Sequence, residues 1–223
     1  MLPAAAALGR MSPMTPGYGG PTLPDERIVG DGIVLRPLAE DDIEPVADAC
    51  NDPETLRWLP LPRPYGRPEA RWFIDIFAPT TRDSGAGIIR AIEREGRLVG
   101  CIDVKRVDWA ARTAEVGYWM APWGRGCGVA TRATRAISSW ALREQGFERV
   151  ELRAATGNVA SQRVAEKAGF VREGVARNAG HVHDGRVDLV VYSLTRADLG
   201  LEQPRLTVAL PDRTGLHDRA APA

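Results

Sequence analysis

The chain has 223 residues, enough for one large domain, and its 44% hydrophobic and 26% charged content excludes a wholly disordered, collagen-like or coiled-coil protein. Its 29 basic and 29 acidic residues cancel, so it lacks the positive field with which a general nucleic-acid binder collects phosphates. Three cysteines, Cys50, Cys101 and Cys127, form neither a CxxC pair nor an even set; a disulfide framework and a structural zinc site lose support, and a cytoplasmic location is expected.

In chain order, the N-terminal MLPAAAALGR has no basic start and is broken early by Pro3, so it reads as neither signal peptide nor anchor, and no apolar run approaches the roughly 18 residues of a membrane span. Residues 1–27 are rich in proline and glycine and read as a flexible leader. The working domain is expected over 28–198, with a flexible tail over 199–223 in which Leu206, Val208 and Leu210 alternate as a short edge strand would. Ile33 to Leu38 reads as a first strand. Asp41 or Asp42 then caps a helix with Ile43, Val46, Ala47 and Cys50 on one face. A second helix begins near Pro68, with Ala70, Phe73, Ile74 and Phe77 together. Gly87 to Glu93, Arg97 to Val104 and Thr113 to Met120 read as an antiparallel meander.

Val129, Ala133, Ala136, Ile137, Trp140 and Ala141 mark a long helix that ends at Gly146. A strand around Val150, Leu152 and Ala154 follows. Asn158 caps a helix running to Ala168, with Gly169 as its stop. Strands at Phe170 to Arg177 and Arg186 to Leu194 close the domain.

The informative segment is Ala121 to Ala130, APWGRGCGVA, between a strand and a helix. Glycines let a backbone turn sharply and approach a ligand, and a helix start offers unpaired N–H groups and a positive dipole end. That chemistry suits a phosphate or pyrophosphate, against the plainer reading of a packing turn. Neither a Walker A loop nor the GxGxxG spacing of a dinucleotide fold is present.

This segment resembles the pyrophosphate loop of the GNAT acyltransferases, Arg/Gln-x-x-Gly-x-Gly/Ala, carried here by Arg125, Gly128 and Ala130. AEVGYWMAPWGRGCGVAT and TGNVASQRVAEKAGF are similar to the RimJ/RimL-like branch, and the resemblance spans about residues 31 to 196. It implies a mixed α/β fold whose central, largely antiparallel sheet is flanked by helices and splays after Met120 at an acyl-CoA site. It also implies an N-acetyltransferase that passes an acetyl group from acetyl-CoA to a primary amine, either a peptide N-terminus or a small molecule, by direct attack in a ternary complex. The pyrophosphate would lie on the amides of Arg125, Gly126, Cys127, Gly128, Val129 and Ala130. The pantetheine arm would pair with the backbone near Trp119 and Met120 and meet the Asn158 amide.

By the same resemblance, Glu115 is the base that takes the amine proton, directly or through water, and Ser161 the proton donor to the leaving thiolate. A backbone N–H near Met120 would polarise the thioester carbonyl. The tyrosine that many family members use as acid is replaced by Ala165. The plain alternatives are a solvent-facing or arginine-paired Glu115, a helical Ser161 bonded to a carbonyl, and Asn158 as a helix cap.

His181 and His183 lack a third ligand nearby, so no metal is expected, and Cys127 has no spaced base that would make it a nucleophile. Trp58, Trp72, Phe73 and Phe77 read mostly as core, with one or two walling the acceptor pocket. Arg57, Arg63, Arg67 and Arg71 outnumber Glu69 and Asp184 in the segments expected to line that pocket, which favours a small neutral or anionic amine, or a peptide N-terminus with acidic residues nearby, over a polycation. No nucleic-acid or membrane partner is expected, and a homodimer is left open. Two alternatives stand beside this reading: a non-catalytic acyl-CoA-sensing module on the same fold, and another donor such as succinyl-CoA.

Overall fold

The computed structural model describes residues 20–201. A hairpin comes first: β1 (Ile28–Gly30) pairs antiparallel with β2 (Ile33–Arg36) across Asp31-Gly32, with Gly32 at φ 67°. Aspartate followed by glycine is the favoured pair for such a turn because glycine takes the left-handed conformation without cost. The sequence reading missed β1, since three residues are too few to show a period; the Asp-Gly pair was the available signal.

Asp42 does not cap the next helix with its side chain. It is buried, accepts from Arg36 at 2.7 and 2.9 Å, and reaches back to the Ala39 amide at 2.8 Å. Helix α1 (Ile43–Cys50) follows, then the short α2 (Pro53–Trp58), whose start Asp52 caps by accepting from the Thr55 amide at 2.9 Å. The helix expected near Pro68 is longer than its periodicity suggested. It runs as α3 (Arg67–Trp72), a π-helical turn (Phe73–Phe77) and α4 (Ala78–Asp83). Pro79 supplies the cause. It has no N–H for the Asp75 carbonyl and its ring crowds that turn, and the wider spacing, with the Ala78 amide on the Phe73 carbonyl, relieves the conflict.

Strands β3 (Ile88–Arg94), β4 (Arg97–Asp108) and β5 (Thr113–Met120) form the expected meander. Helix α5 (Val129–Arg143), strand β6 (Arg149–Ala155), helix α6 (Val159–Ala168) and the hairpin β7 (Val171–Val182) with β8 (Gly185–Thr195) complete the domain. The eight strands lie in the order β1-β2-β3-β4-β5-β6-β8-β7. Every neighbouring pair is antiparallel except β5 with β6.

Alternation along the strands divides the core in two. One cluster joins Val104, Val116, Leu152 and Tyr192 to Val129, Ile137 and Trp140 of α5 and to Ala165 of α6. The other lies on the opposite face, where Ile43, Val46, Tyr65, Ala70 and Ile74 pack on Ala91 and Leu98, and Trp119 rests against them.

Part of the segment read as a flexible leader, Leu23 to Glu26, is packed on the domain. Leu23 is 3% exposed, Asp25 pairs with Arg90 at 2.9 Å and Arg82 at 2.8 Å, and Glu26 accepts from the Trp140 indole at 2.7 Å. Proline-rich composition, averaged over 27 residues, hid one apolar anchor and two placed carboxylates. At the other end Leu199 still packs on the core. The strand expected around Leu206, Val208 and Leu210 lies outside the described residues.

Candidate active site

The parallel ladder between β5 and β6 has three rungs, Thr113↔Arg149, Ala114↔Val150 and Glu115↔Glu151. Beyond them the strands part, because β5 stays on β4 as far as Met120 while β6 stays on β8 as far as Ala155. The sheet therefore opens after Glu115, five residues earlier than expected. Trp119 and Ala121 direct their backbone groups at β4: the Ala121 amide donates to the Val99 carbonyl at 3.0 Å, and the Trp119 carbonyl lies against Gly100. By alternation, the backbone groups of Tyr118 and Met120 face the gap. The unpaired edge thus belongs to Tyr118 and Met120, while the Trp119 backbone serves β4 and its ring packs against the acceptor-side helices. The Met120 carbonyl is already taken by Arg125 Nε at 3.2 Å, which leaves the Met120 N–H in the gap.

The glycine loop closes the wide end. Gly124 is pressed on β4, where a Cβ would overlap the Val99 carbonyl. Gly126 and Gly128 have φ of 80° and 74°, and a Cβ on either would meet nothing within 4 Å. Open space above two left-handed glycines, leading into a 15-residue helix, is a geometry that could cradle an anion. The Arg125 side chain turns away from it and donates to Asp52 Oδ2 at 2.6 Å and Thr55 Oγ1 at 2.8 Å, tying the loop to α2. Burial pushes the Asp52 carboxyl up, but the bonds from Arg125 and the Thr55 amide outweigh it and hold that carboxyl below its ordinary value. Cys127 is exposed on the loop, whereas Cys50 and Cys101 are buried, and burial pushes the Cys50 thiol up to about 12.

On the far bank, Asn158 Oδ1 accepts from the Ser161 amide at 3.0 Å, so the cap that the sequence suggests is formed. Ser161 Oγ lies 3.2 Å from the Tyr118 hydroxyl, a contact joining β5 to α6 across the gap. The sequence reading passed over Tyr118; its place three residues after Glu115, on the opposite face of the same strand, was the signal.

Glu115 points to the face that carries α1 to α4. It is 9% exposed, among charges rather than apolar groups: Arg106 at 3.0 Å, Arg153 at 3.6 Å and Lys105 at 3.8 Å. Arg106 reaches it from an irregularity in β4, where its own backbone has φ 50°. The network continues along the uncovered face of β6, β8 and β7. Arg153 pairs with Glu151, Arg149 with both Glu151 and Glu173, and Ser193 donates to Glu173 at 2.7 Å. Hydrogen bonds from Arg149 and Ser193 hold the Glu173 carboxyl at about 2. Glu115 and Ser161 thus approach the narrow end of the gap from opposite faces of the sheet.

The Trp58 ring lies over Gly157, beside Asn158, at a distance of 3.3 Å from where a Cβ would stand. It is partly buried and belongs to neither core cluster. Phe73 packs in the core, whereas Trp72 and Phe77 are half-exposed and stacked at 5.3 Å. Three of the four counted arginines are offset by carboxylates outside the counted segments, Arg57 by Glu54, Arg67 by Glu44, and Arg71 by Glu40 and Asp75, while Arg63 donates to the Leu56 carbonyl. Among the described residues no three His, Cys, Asp or Glu side chains gather as a metal set, and no helix is long and apolar enough to cross a membrane.

The chain resembles known acetyltransferases in sequence and in fold. The Bacillus subtilis protein named "Putative ribosomal N-acetyltransferase YdaF" is 33% identical over 175 residues, 76% of this chain and 94% of that protein. A crystal structure titled "Probable acetyltransferase" has 31% identity and a TM-score of 0.68, covering 75% of this chain and 95% of its own. Mycobacterium smegmatis RimJ, solved with a CoA-disulfide, shares the fold at 22% identity and a TM-score of 0.69 over 83% of this chain and 92% of its own. Residues 33–171 match the family model described as the acetyltransferase (GNAT) domain, and the chain belongs to the GNAT family of acetyltransferases.

Proposed function

We propose that the protein transfers the acetyl group of acetyl-CoA to a primary amine by direct attack in a ternary complex. The observation that carries this reading is the gap after the third β5–β6 rung, with free backbone on one bank and Glu115 and Ser161 on opposite faces of its narrow end. The pyrophosphate is assigned to the Arg125–Ala130 amides, and the pantetheine arm to the free edge at Tyr118 and Met120, as an added strand. A free N–H on that edge, at Tyr118 or Met120, polarises the carbonyl and stabilises the oxyanion. Asn158 uses one amide oxygen as cap and keeps its N–H groups for the arm. Glu115 receives the amine proton, directly or through a water, from the α1 to α4 side.

As acceptor we favour a protein N-terminus, because YdaF carries a name that refers to ribosomal acetylation. Small-molecule amines are the alternative, and the pairing of Arg57, Arg67 and Arg71 weakens the charge argument against a polycation among them. Thiol release from acetyl-CoA and succinyl-CoA, measured across peptides, amino acids, spermidine and an aminoglycoside, tests donor and acceptor together. Fastest release with acetyl-CoA and a peptide is expected. Donor binding without release for any amine would instead identify a sensor, and a succinyl preference would overturn the donor assignment. A homodimer, if formed, would use an unpaired sheet edge, of which β7 with 12 residues is the longer.

A further inference from the structure

Tyr118 is the one polar side chain of β5 on the α5 and α6 side beyond the last rung. Its ring packs partly into the core between those helices and the sheet. Its hydroxyl reaches across the gap to Ser161 Oγ at 3.2 Å. Among the described residues, Ser161 Oγ has no other hydrogen-bond partner, so the carbonyl bond that would otherwise occupy a first-turn serine is not made.

Of two hydroxyls in contact, the more acidic donates, and a phenol is more acidic than an alcohol by several powers of ten. Burial raises the Tyr118 phenol further, against the smaller opposing effect of Ser161, so it keeps its proton through the neutral range. Ser161 Oγ is then the acceptor in this pair, and its single hydrogen is free for another partner.

We infer that Tyr118 is a positioning residue for the leaving group: by donating to Ser161 Oγ it directs the Ser161 hydrogen at the departing coenzyme A sulfur. The inference rests on the acetyl-transfer reading and deepens it. When the tetrahedral intermediate collapses, the C–S bond breaks and its electron pair stays on sulfur. The Ser161 hydrogen bond supports that negative charge, and the Tyr118 bond polarises Ser161 in turn. The proton that the thiol finally carries balances the one that the amine nitrogen loses through Glu115 and solvent. Tyr118 itself gives up no proton.

The test compares Tyr118→Phe, Ser161→Ala and the double variant, each with acetyl-CoA and with acetyl-seleno-CoA, whose selenol is a far more acidic leaving group. With acetyl-CoA, Ser161→Ala should lower kcat roughly 100-fold and Tyr118→Phe about tenfold, with donor KM changed less than about twofold. The double variant should fall no further than Ser161→Ala, because the two groups act in series. With the selenium donor both losses should shrink to about twofold or less, a response that a mere packing strut would not give. Additive losses, losses unchanged by selenium, or a Tyr118→Phe protein as active as its parent would each overturn the role. Should Tyr118→Phe melt below the assay temperature, Ser161→Ala alone carries the selenium comparison, and no relief there overturns the inference. A parent that turns over no amine defeats the acetyl-transfer reading and the role of Tyr118 with it; an active parent matched by Tyr118→Phe defeats the role alone.

Discussion

The two sides of the gap after Glu115 are made of different material. On the proposed reading the donor side is backbone: the free edge of Tyr118 and Met120, two left-handed glycines, and the first turn of α5. The acceptor side is side chains, a chain of ion pairs from Lys105 through Glu115, Arg153, Glu151 and Arg149 to Glu173. Backbone groups fixed by the fold suit a shared feature, which the proposal takes to be the pyrophosphate and amide-bearing arm. Charged side chains rearrange at small cost on an uncovered face, so the acceptor side is where relatives on one fold can differ.

Substitutions sharpen that contrast. Glu115→Gln should have the largest effect, lowering kcat/KM roughly 100-fold near neutral pH, with partial recovery as pH rises and the amine loses its proton without help. A flat ratio of variant to parent across the pH profile would end the base assignment. Next, Gly126→Val together with Gly128→Val should raise donor KM about tenfold or more, since each side chain would enter the open cradle and left-handed backbone costs about 1–2 kcal/mol without glycine. kcat at saturating donor should stay near the parent value; a fall in kcat alone would place the glycines outside the donor side.

Asp52→Asn should act more weakly, because it loosens the Arg125 anchor without touching the cradle. A rise of about threefold in donor KM is expected, and acceptor KM should rise with it, since α2 carries both Asp52 and Trp58, one of the aromatics expected to wall the acceptor pocket. Change in neither constant would show that the tie between loop and helix is idle. The smallest effect belongs to Glu173→Gln at the far end of the charged face, which should leave turnover unchanged. The native Glu173 carboxyl is held at about 2, below its ordinary 4.5, so its stabilising contribution is complete above about pH 4.5 and is lost as pH falls toward about 2. The parent should therefore lose melting temperature over that window more steeply than the variant, by a few degrees at most because the pair is exposed. Equal slopes would remove Glu173 from the acid response.

Most of the fold was legible because its signals are local. Period changes at Gly87, the cap at Asn158 and the stop at Gly169 report on neighbours a few residues away, and the elements stand where they indicate. The glycine loop was legible for the same reason, since a glycine loop before a helix is one contiguous string. Contacts between distant strands were not. Tyr118 and Ser161 are 43 residues apart, Arg125 and Asp52 are 73, and the cations around Glu115 come from two other strands. Composition counts failed where pairing decided the matter, both for the arginines of α2 and α3 and for Leu23, Asp25 and Glu26.

The three-rung ladder has a further consequence, for the end of the catalytic cycle. An edge that holds the pantetheine arm by its amides holds it equally well before and after the acyl group is gone. On the proposed donor placement, spent and loaded coenzyme compete for one berth on nearly equal terms. Free coenzyme A should then inhibit competitively against acetyl-CoA, so that the ratio of the two, rather than the donor concentration alone, sets the rate.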